Sequence, residues 1–521
     1  MTPWPHSLRN IASNWASFAV SVVIGLFLSP FIVHSLGVSA YGAWVLLSSL
    51  VGYLGLLDLG TRSAVTTYVA NYYATQRHDE AGRIASTALG LFGGLGLLAI
   101  AASTVLALLV NHAFHVPEEL ARAARIALVV SGVNVAASLA SGVFGGIVVG
   151  MQRFDWLNAV NVALAVIQAL AIVLVLHAGG GLVALALVQL GVTLLRGGMS
   201  AWLSRRAYPD LTFRIGFWSR PHLQLILSFG ITSALIQAAS SIINYADALV
   251  IGSFLPVATI TFYVIASTMT DYVRAILSGI SHTLTPMVAA LQGQDRRDDV
   301  AKIILRGARI ASLVVLPIVL TLELRGASFI RIWMGAEYVW PTDAVLKVLA
   351  FAVWALAGFQ IVTATMIGIN KHQGLIPVFV GEAFANIVLS IVLIHYLGIV
   401  GVAWGTALPR LVVSLFIGPL YARRHAGVSL RMYCIQAWLR PAVGMIPFAL
   451  TTLAAETWWP AATLWLFFGQ VLAALVVAWP GAWFVVLTAA EREAIGTTLA
   501  LPGFATVRSS LRSAGRHGWL A

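Results

Sequence analysis

The chain has 521 residues, 60% of them hydrophobic and only 10% charged, with a mean hydropathy of +0.90. Soluble domains carry about 25% charged residues, so a soluble globular fold is excluded. Cys434 is the one cysteine, which rules out an intramolecular disulfide and a cysteine metal cluster.

Apolar segments of roughly 20 residues recur from end to end, each enough to cross about 30 Å of hydrocarbon. A β-barrel would instead show short alternating segments. Fourteen spans are predicted, at 11–33, 40–61, 84–110, 124–149, 156–177, 181–203, 224–252, 256–283, 303–323, 344–368, 374–396, 399–421, 435–455 and 461–488. The first follows a single charge, Arg9. It is too long for a signal-peptide core and has no small-x-small cleavage site after it, so it reads as a retained span. The connections Arg205–Leu223 and Glu323–Asp343 are the longest, and Trp333, Tyr338 and Trp340 make the second an interfacial segment.

The net charge of +12 could suggest a nucleic-acid partner, but its distribution argues against one. With the N-terminus cytoplasmic, the even-numbered connections and both ends hold most of the Lys and Arg. Arg77, Arg83, Arg153, Arg205, Arg206, Arg296, Arg297, Arg423, Arg424, Arg508, Arg512 and Arg516 are among them. The opposite side holds Arg122, Arg125, Arg325, Arg331 and Lys347. Positive residues stay on the cytoplasmic side of a membrane, so both termini are expected there. The charge is accounted for without nucleic acid.

The stretch 36–83 returns 219 residues later. Tyr53 falls on Tyr272, Val69 on Val288, Arg77 on Arg296, Asp79 on Asp298, Glu80 on Asp299 and Arg83 on Lys302. At a shift of 218, Gly150-Met-Gln-Arg153 falls on Gly368-Ile-Asn-Lys371, His177 on His395, and Arg205-Arg206 on Arg423-Arg424. Spans 1–6 and 7–12 therefore read as parallel copies, related by an axis along the membrane normal. The expected organisation is an N-terminal six-helix bundle at 1–206, its repeat at 207–424, helices 13 and 14 at 425–490 and a cytoplasmic tail at 491–521.

Charges inside spans cost about 2.5–3.5 kcal/mol each on insertion scales and are expected to face a cavity or a partner. Asp58 and Arg62 are four residues apart and Asp271 and Arg274 three, spacings that place each pair on one helical face. Asp247 and Glu382 have no oppositely charged neighbour in their helices. Arg196 and Arg410 are lone cations, of which Arg196 lies near enough to its helix end to snorkel. The arginines Arg62, Arg274 and Arg410 are candidates for holding an anionic substrate. Asp58, Asp247, Asp271 and Glu382 are candidates for orienting those cations or for ion coupling. No metal-ligand cluster occurs. No Gly-x-x-x-x-Gly-Lys-Ser/Thr loop occurs either, so energy is expected from a proton or sodium gradient, the membrane potential or the substrate's own gradient. No cofactor is expected.

The phrases Leu36-Gly37, Tyr41-Gly42-Ala43-Trp44, Leu56-Leu57-Asp58-Leu59-Gly60, Gly150-Met-Gln-Arg-Phe-Asp155 and Ile332-Trp333-Met334-Gly335-Ala336-Glu337-Tyr338 resemble the polysaccharide-transporter (Wzx-type) flippases. These lie in the multidrug/oligosaccharidyl-lipid/polysaccharide exporter superfamily. The resemblance implies an all-α polytopic membrane protein with two six-helix bundles facing a central cavity, plus two C-terminal helices. It implies a transporter, not an enzyme, in the bacterial inner membrane. Its implied substrate is a polyprenyl-diphosphate-linked oligosaccharide for O-antigen, capsule or exopolysaccharide synthesis, with a polymerase and chain-length proteins as partners. The family supplies no fixed catalytic motif, so the residue assignments rest on the in-membrane charges. Two alternatives are a cation-coupled multidrug extruder of the same superfamily and a membrane glycosyltransferase, polymerase or ligase. Many such enzymes place acids or a large domain in outer connections, whereas here the first, His34 to Ala40, has no acid and none is long.

Overall fold

The structure, a computed structural model, describes residues 4–58, 60–293, 297–489 and 491–493. Arg296 and the tail residues Arg508, Arg512 and Arg516 lie outside them. The described chain is helical throughout: α1 (Trp4–Leu36), α2 (Val38–Leu54), α3 (Thr61–Ala74), α4 (His78–Ala113), α5 (Glu118–Gly150), α6 (Phe154–His177), α7 (Leu182–Ala207), α8 (Arg220–Phe254), α9 (Ala258–Gly293), α10 (Arg297–Trp333), α11 (Val339–Gly368), α12 (Ile376–Leu397), α13 (Ile399–Val412), α14 (Gly418–Ala426), α15 (Leu430–Cys434), α16 (Arg440–Gly444), α17 (Ile446–Trp458) and α18 (Leu464–Gly481).

Among the described residues, eleven helices are long and apolar enough to cross a membrane. The pair Leu430–Gly444 and Ile446–Trp458, bent by 41°, makes a twelfth. The other two expected spans fall on α8 and α9, helices of 35 and 36 residues that include positions outside the description of side chains. At about 1.5 Å per residue, each exceeds the hydrocarbon thickness. The chain is a multi-pass membrane protein.

Two sequence expectations are corrected. The helix carrying Asp58 and Arg62 is not continuous. Gly55–Asp58 is a 3-10 turn, and Gly60, at φ +70°, ends it in a left-handed conformation that glycine adopts without strain. The connection expected at Glu323–Asp343 is mostly helix, because α10 continues to Trp333 and only a short turn separates it from α11. The charged residues of several termini suit the helix dipole. Asp79 and Glu80 open α4 and Glu118 and Glu119 open α5, while Arg205 and Arg206 close α7.

The two copies share local geometry at matched positions. A Cβ on Gly150 would lie 2.9 Å from the Thr66 carbonyl oxygen, and one on Gly368 would lie 2.9 Å from that of Thr285. Thr66 and Thr285 are themselves equivalent at the 219 shift. In the turns that follow, Gln152 and Asn370 both take φ +57°. A bare backbone at 150 and 368 lets each helix lie against its neighbour, the use of small residues expected in membrane helix packing.

By contact the chain forms two compact units, the first drawing on both sequence copies and the second on the second copy and the residues after it. One comprises 1–279, 333–352 and 370–413, the other 280–332, 353–369 and 414–521. In the first, α3, α4, α5 and the start of α8 bury Val65, Val69, Ile84, Phe92, Val143, Ile147, Tyr208 and Ile226 in one core. The connection between α7 and α8 is strapped along α4. His78 Nδ1 lies 2.7 Å from the Tyr208 hydroxyl, the Arg214 N–H donates to Ser86 Oγ at 3.2 Å, and His222 Nε2 lies 2.8 Å from Glu80. A Cβ on Gly82 would reach within 2.7 Å of the Thr212 carbonyl, so the strap needs that glycine. The start of α8 is thereby fixed.

In the second unit α10 anchors the last two spans. Arg325, 1% exposed, pairs with Glu456 at 2.7 Å, donates to Gln470 at 2.6 Å and lies 4.6 Å from the Phe467 ring centroid. Sixteen residues earlier, Arg309 pairs with Glu491 at 2.5 Å and donates to Gln436 at 2.8 Å. Burial pushes the Glu491 carboxyl up, but the Thr488 N–H and hydroxyl with Arg309 and Arg306 outweigh it and hold the group below the ordinary Glu range. A carboxyl depressed on folding contributes stability that is present above its unfolded pKa and lost as pH falls through the folded one.

Two outcomes follow. Gly150→Val and Gly368→Val each force two helices apart and lower the apparent Tm in detergent, at a cost of about 1–3 kcal/mol. Gly93→Val, which adds a side chain where no atom lies within 4 Å, leaves it unchanged. The wild type loses apparent Tm as pH falls below the ordinary Glu range, and Glu491→Gln flattens that part of the pH dependence while lowering Tm at neutral pH.

Candidate functional site

The in-membrane charges of the second copy meet on four helices of the first unit. The organising element is the α12–α13 hairpin, which turns at Gly398 with φ +58°. On α13, Gly401 and Gly405 are four residues apart. A Cβ on Gly401 would fall 2.2 Å from the Leu393 carbonyl oxygen, and one on Gly405 would fall 2.5 Å from the Ser390 backbone nitrogen. Only glycine allows that approach, and the antiparallel register it sets decides which side chains meet further along.

Asn386 donates to the Thr406 hydroxyl at 2.8 Å, and one turn on Arg410 Nε meets Glu382 Oε1 at 3.0 Å. Glu382 and Arg410 are 7% and 9% exposed. They are 28 residues apart in sequence, and neither has an opposite charge on its own helix.

Asp247 on α8 is 8% exposed and accepts three contacts. Thr406 Oγ1 lies 2.9 Å from each carboxylate oxygen, and the Tyr263 hydroxyl of α9 donates to Oδ2 at 2.5 Å. Thr406 has one proton to give, so it donates to Asp247 while accepting from Asn386. The order of donation is Asn386 to Thr406 to Asp247, with Tyr263 converging from the other side. Arg274 pairs with Asp271, as its spacing predicts, and its second nitrogen lies 3.4 Å from Asn244 Oδ1. It is within electrostatic reach of Asp247, Glu382 and Arg410. The structure therefore brings together five of the seven sequence candidates: Asp247, Asp271, Arg274, Glu382 and Arg410.

Asp58 and Arg62 stand elsewhere in the same unit. Asp58 accepts the backbone N–H of Arg62 rather than its guanidinium. Its Oδ1 is buried without a hydrogen-bond partner. The Arg62 guanidinium rests on α5, where a Cβ on Gly142 would lie 3.0 Å from Nε and Nη2.

Sequence reasoning missed Tyr263, Asn386 and Thr406, which are uncharged and carry no signal of their own. The Gly401-x-x-x-Gly405 spacing was the available clue, since it marks a close helix pair. The first copy has Val183 and Leu187 at those positions, and its equivalents of Glu382 and Arg410 are Leu164 and Val192, which share an apolar core. Among the described residues no group of three or more His, Cys, Asp or Glu could hold a metal ion.

The ion pair supplies a test. Arg410→Leu leaves the Glu382 carboxylate buried and unpaired, a loss of about 3–5 kcal/mol, seen as a sharp fall in apparent Tm. The double variant Glu382→Leu/Arg410→Leu, which gives the hairpin the composition of the first copy, recovers most of that fall.

Comparisons agree with this architecture. The Bacillus subtilis (strain 168) protein described as "Uncharacterized membrane protein EpsK" is 19% identical over 429 residues, covering 81% of this chain and 84% of that protein. The structure of the lipid II flippase MurJ in an inward closed conformation matches with a TM-score of 0.70 at 13% identity, covering 89% of this chain and 97% of that one. An inward-facing multidrug resistance MATE family transporter of the MOP superfamily matches with a TM-score of 0.68 at 17% identity, covering 80% and 95%. These likenesses establish the two-repeat helical bundle fold. The family described as "Polysaccharide biosynthesis protein" matches residues 65–341, more than half of the sequence, and the chain belongs to that family.

Proposed function

We propose that this protein is a flippase, not an enzyme, that moves a polyprenyl-diphosphate-linked oligosaccharide from the cytoplasmic to the outer leaflet by alternating access. It acts in the bacterial inner membrane with both termini cytoplasmic, in the synthesis of O-antigen, capsule or exopolysaccharide. A polymerase and chain-length proteins are its partners downstream. Membership in the polysaccharide biosynthesis family carries this reading. The in-membrane arginines support it, because a diphosphate crossing hydrocarbon needs cationic partners. Arg62, Arg274 and Arg410 supply them.

Coupling is to a proton or sodium gradient. Asp247, held by two hydroxyls and no direct ion pair, is one acid for that role. Glu382 is the second: a proton on its carboxyl releases Arg410 for the substrate, so ion binding and substrate binding become linked. Asp271 orients Arg274 and Asp58 sits beside Arg62.

A deletion strain tests the assignment. Lipid-linked oligosaccharide is extracted and its leaflet assigned by access of an external glycosidase. The expected result is accumulation of an inward-facing polyprenyl-diphosphate oligosaccharide with loss of a surface polysaccharide. An unchanged pool together with new sensitivity to cationic drugs would instead assign the protein to the cation-coupled extruders, whose fold it shares. Complementation with Arg62→Ala, Arg274→Ala or Arg410→Ala restores transport poorly. Wild-type rates from all three, at normal membrane levels, would remove the cationic partners from the mechanism.

A further inference from the structure

We propose that Arg62 of α3 and Arg196 of α7 form a phosphate-binding pair that holds the diphosphate of an isoprenoid lipid, with Arg196 as a substrate-binding residue. The inference rests on the flippase reading and adds a residue to it.

The in-membrane arginines of the first unit, Arg62, Arg196, Arg274 and Arg410, fall into two kinds. Arg410 is buried against Glu382 at 3.0 Å, and Arg274 is paired with Asp271. Among the described residues, Arg62 and Arg196 have no carboxylate within salt-bridge distance, and both side chains are accessible. Like charges left inside a membrane repel, and each costs insertion energy. These two are nevertheless neighbours, close enough for Arg62 to act electrostatically on Arg196.

Their proximity has a packing cause. On α5, Ser141 and Gly142 are adjacent. The Arg62 guanidinium lies over Gly142, and a Cβ on Gly197 of α7 would fall 2.4 Å from Ser141 Oγ. Helices α3 and α7 therefore close on the same turn of α5, which brings residue 196 beside residue 62. Arg196 shares its helical row with Val192 and Ser200, both buried, so its stem leaves the packed side of α7.

Depth agrees. Arg62 is twelve residues from the end of α3 and Arg196 eleven from the end of α7, so both stand about 16–18 Å from the same-side ends of their helices. Asp58 offsets one of the two charges, and its carboxylate is engaged by the Arg62 backbone N–H. Two forked guanidiniums with one net positive charge suit a phosphate, which accepts hydrogen bonds from both.

The test uses the full chain in phosphatidylcholine nanodiscs, titrated with farnesyl diphosphate and with farnesol. Wild type is expected to prefer the diphosphate. Arg196→Gln and Arg62→Gln each weaken diphosphate binding about tenfold or more without changing farnesol binding. The double variant loses less than the product of the two, because one phosphate is shared. Arg196→Lys retains part of the affinity. Without ligand, Arg196→Gln has a higher apparent Tm than wild type, since a repulsion is gone; this also reports that the variant is folded. Wild-type diphosphate affinity in Arg196→Gln, with Arg62→Gln weakened, would overturn the pair and leave the flippase reading standing. Equal binding of farnesol and farnesyl diphosphate by wild type would overturn both. Full competition by phosphatidylglycerol at equal concentration would assign the pair to bilayer phospholipid and overturn the isoprenoid assignment.

Discussion

A charge held in hydrocarbon is costly unless another group of the protein meets it, and in the first unit the α12–α13 hairpin is where two such charges meet each other. The constraint works through register. Gly401 and Gly405 let two helices touch backbone to backbone, and once they touch, Asn386 must face Thr406 and Glu382 must face Arg410. Thr406, fixed by Asn386, then has its proton available for Asp247. Removing either glycine would disturb the donor chain through Thr406, next to Gly405, and an ion pair one to three turns away. The site is built from helix contact first and charge second.

The repeat makes this argument sharper. At the 218 shift, Glu382 and Arg410 correspond to Leu164 and Val192, and the first copy packs those two as ordinary core. The same hairpin topology thus holds without any ion pair. Replacing a buried ion pair by apolar residues is often neutral or stabilising, so the pair in the second copy is not explained by stability. The first copy puts its charges elsewhere, on α3 and α7, without acids to pair their guanidiniums. One ancestral scaffold carries compensated charges in one copy and a cationic pair in the other.

How much of this was legible in sequence depended on range. Local facts were readable: the apolar spans, the parallel repeat, and the Asp271–Arg274 pair three residues apart. The equivalence of Gly150 with Gly368 was readable too, and the structure gives both the same contact with Thr66 and Thr285. Facts set by register between helices were not. Glu382 and Arg410 are each alone on their own helices, and no one-dimensional pattern joins residues 28 apart. The Asp58–Arg62 spacing misled for a related reason. Four residues make one face only on an unbroken helix, and Gly60 breaks this one. Span counting ran into the same limit at the C-terminus, where one expected span is a pair of helices bent by 41°.

The division between paired and unpaired arginines bears on how such a protein could cycle. An anion can be taken up by an uncompensated cation at once, because its arrival removes a repulsion. Taking it onto Arg410 first requires Glu382 to let go, and an unpaired carboxylate buried in that hairpin costs about 3–5 kcal/mol. Protonating Glu382 lowers that cost, since a neutral carboxyl needs only hydrogen bonds. Under the proposed function the two cationic groups are therefore not equivalent steps of one path. In that reading the pair Arg62 and Arg196 would accept substrate without an ion, whereas Arg410 would accept it only after a proton has arrived. A transporter that must not slip needs such an order, and in that reading it follows from which guanidinium is paired directly with an acid.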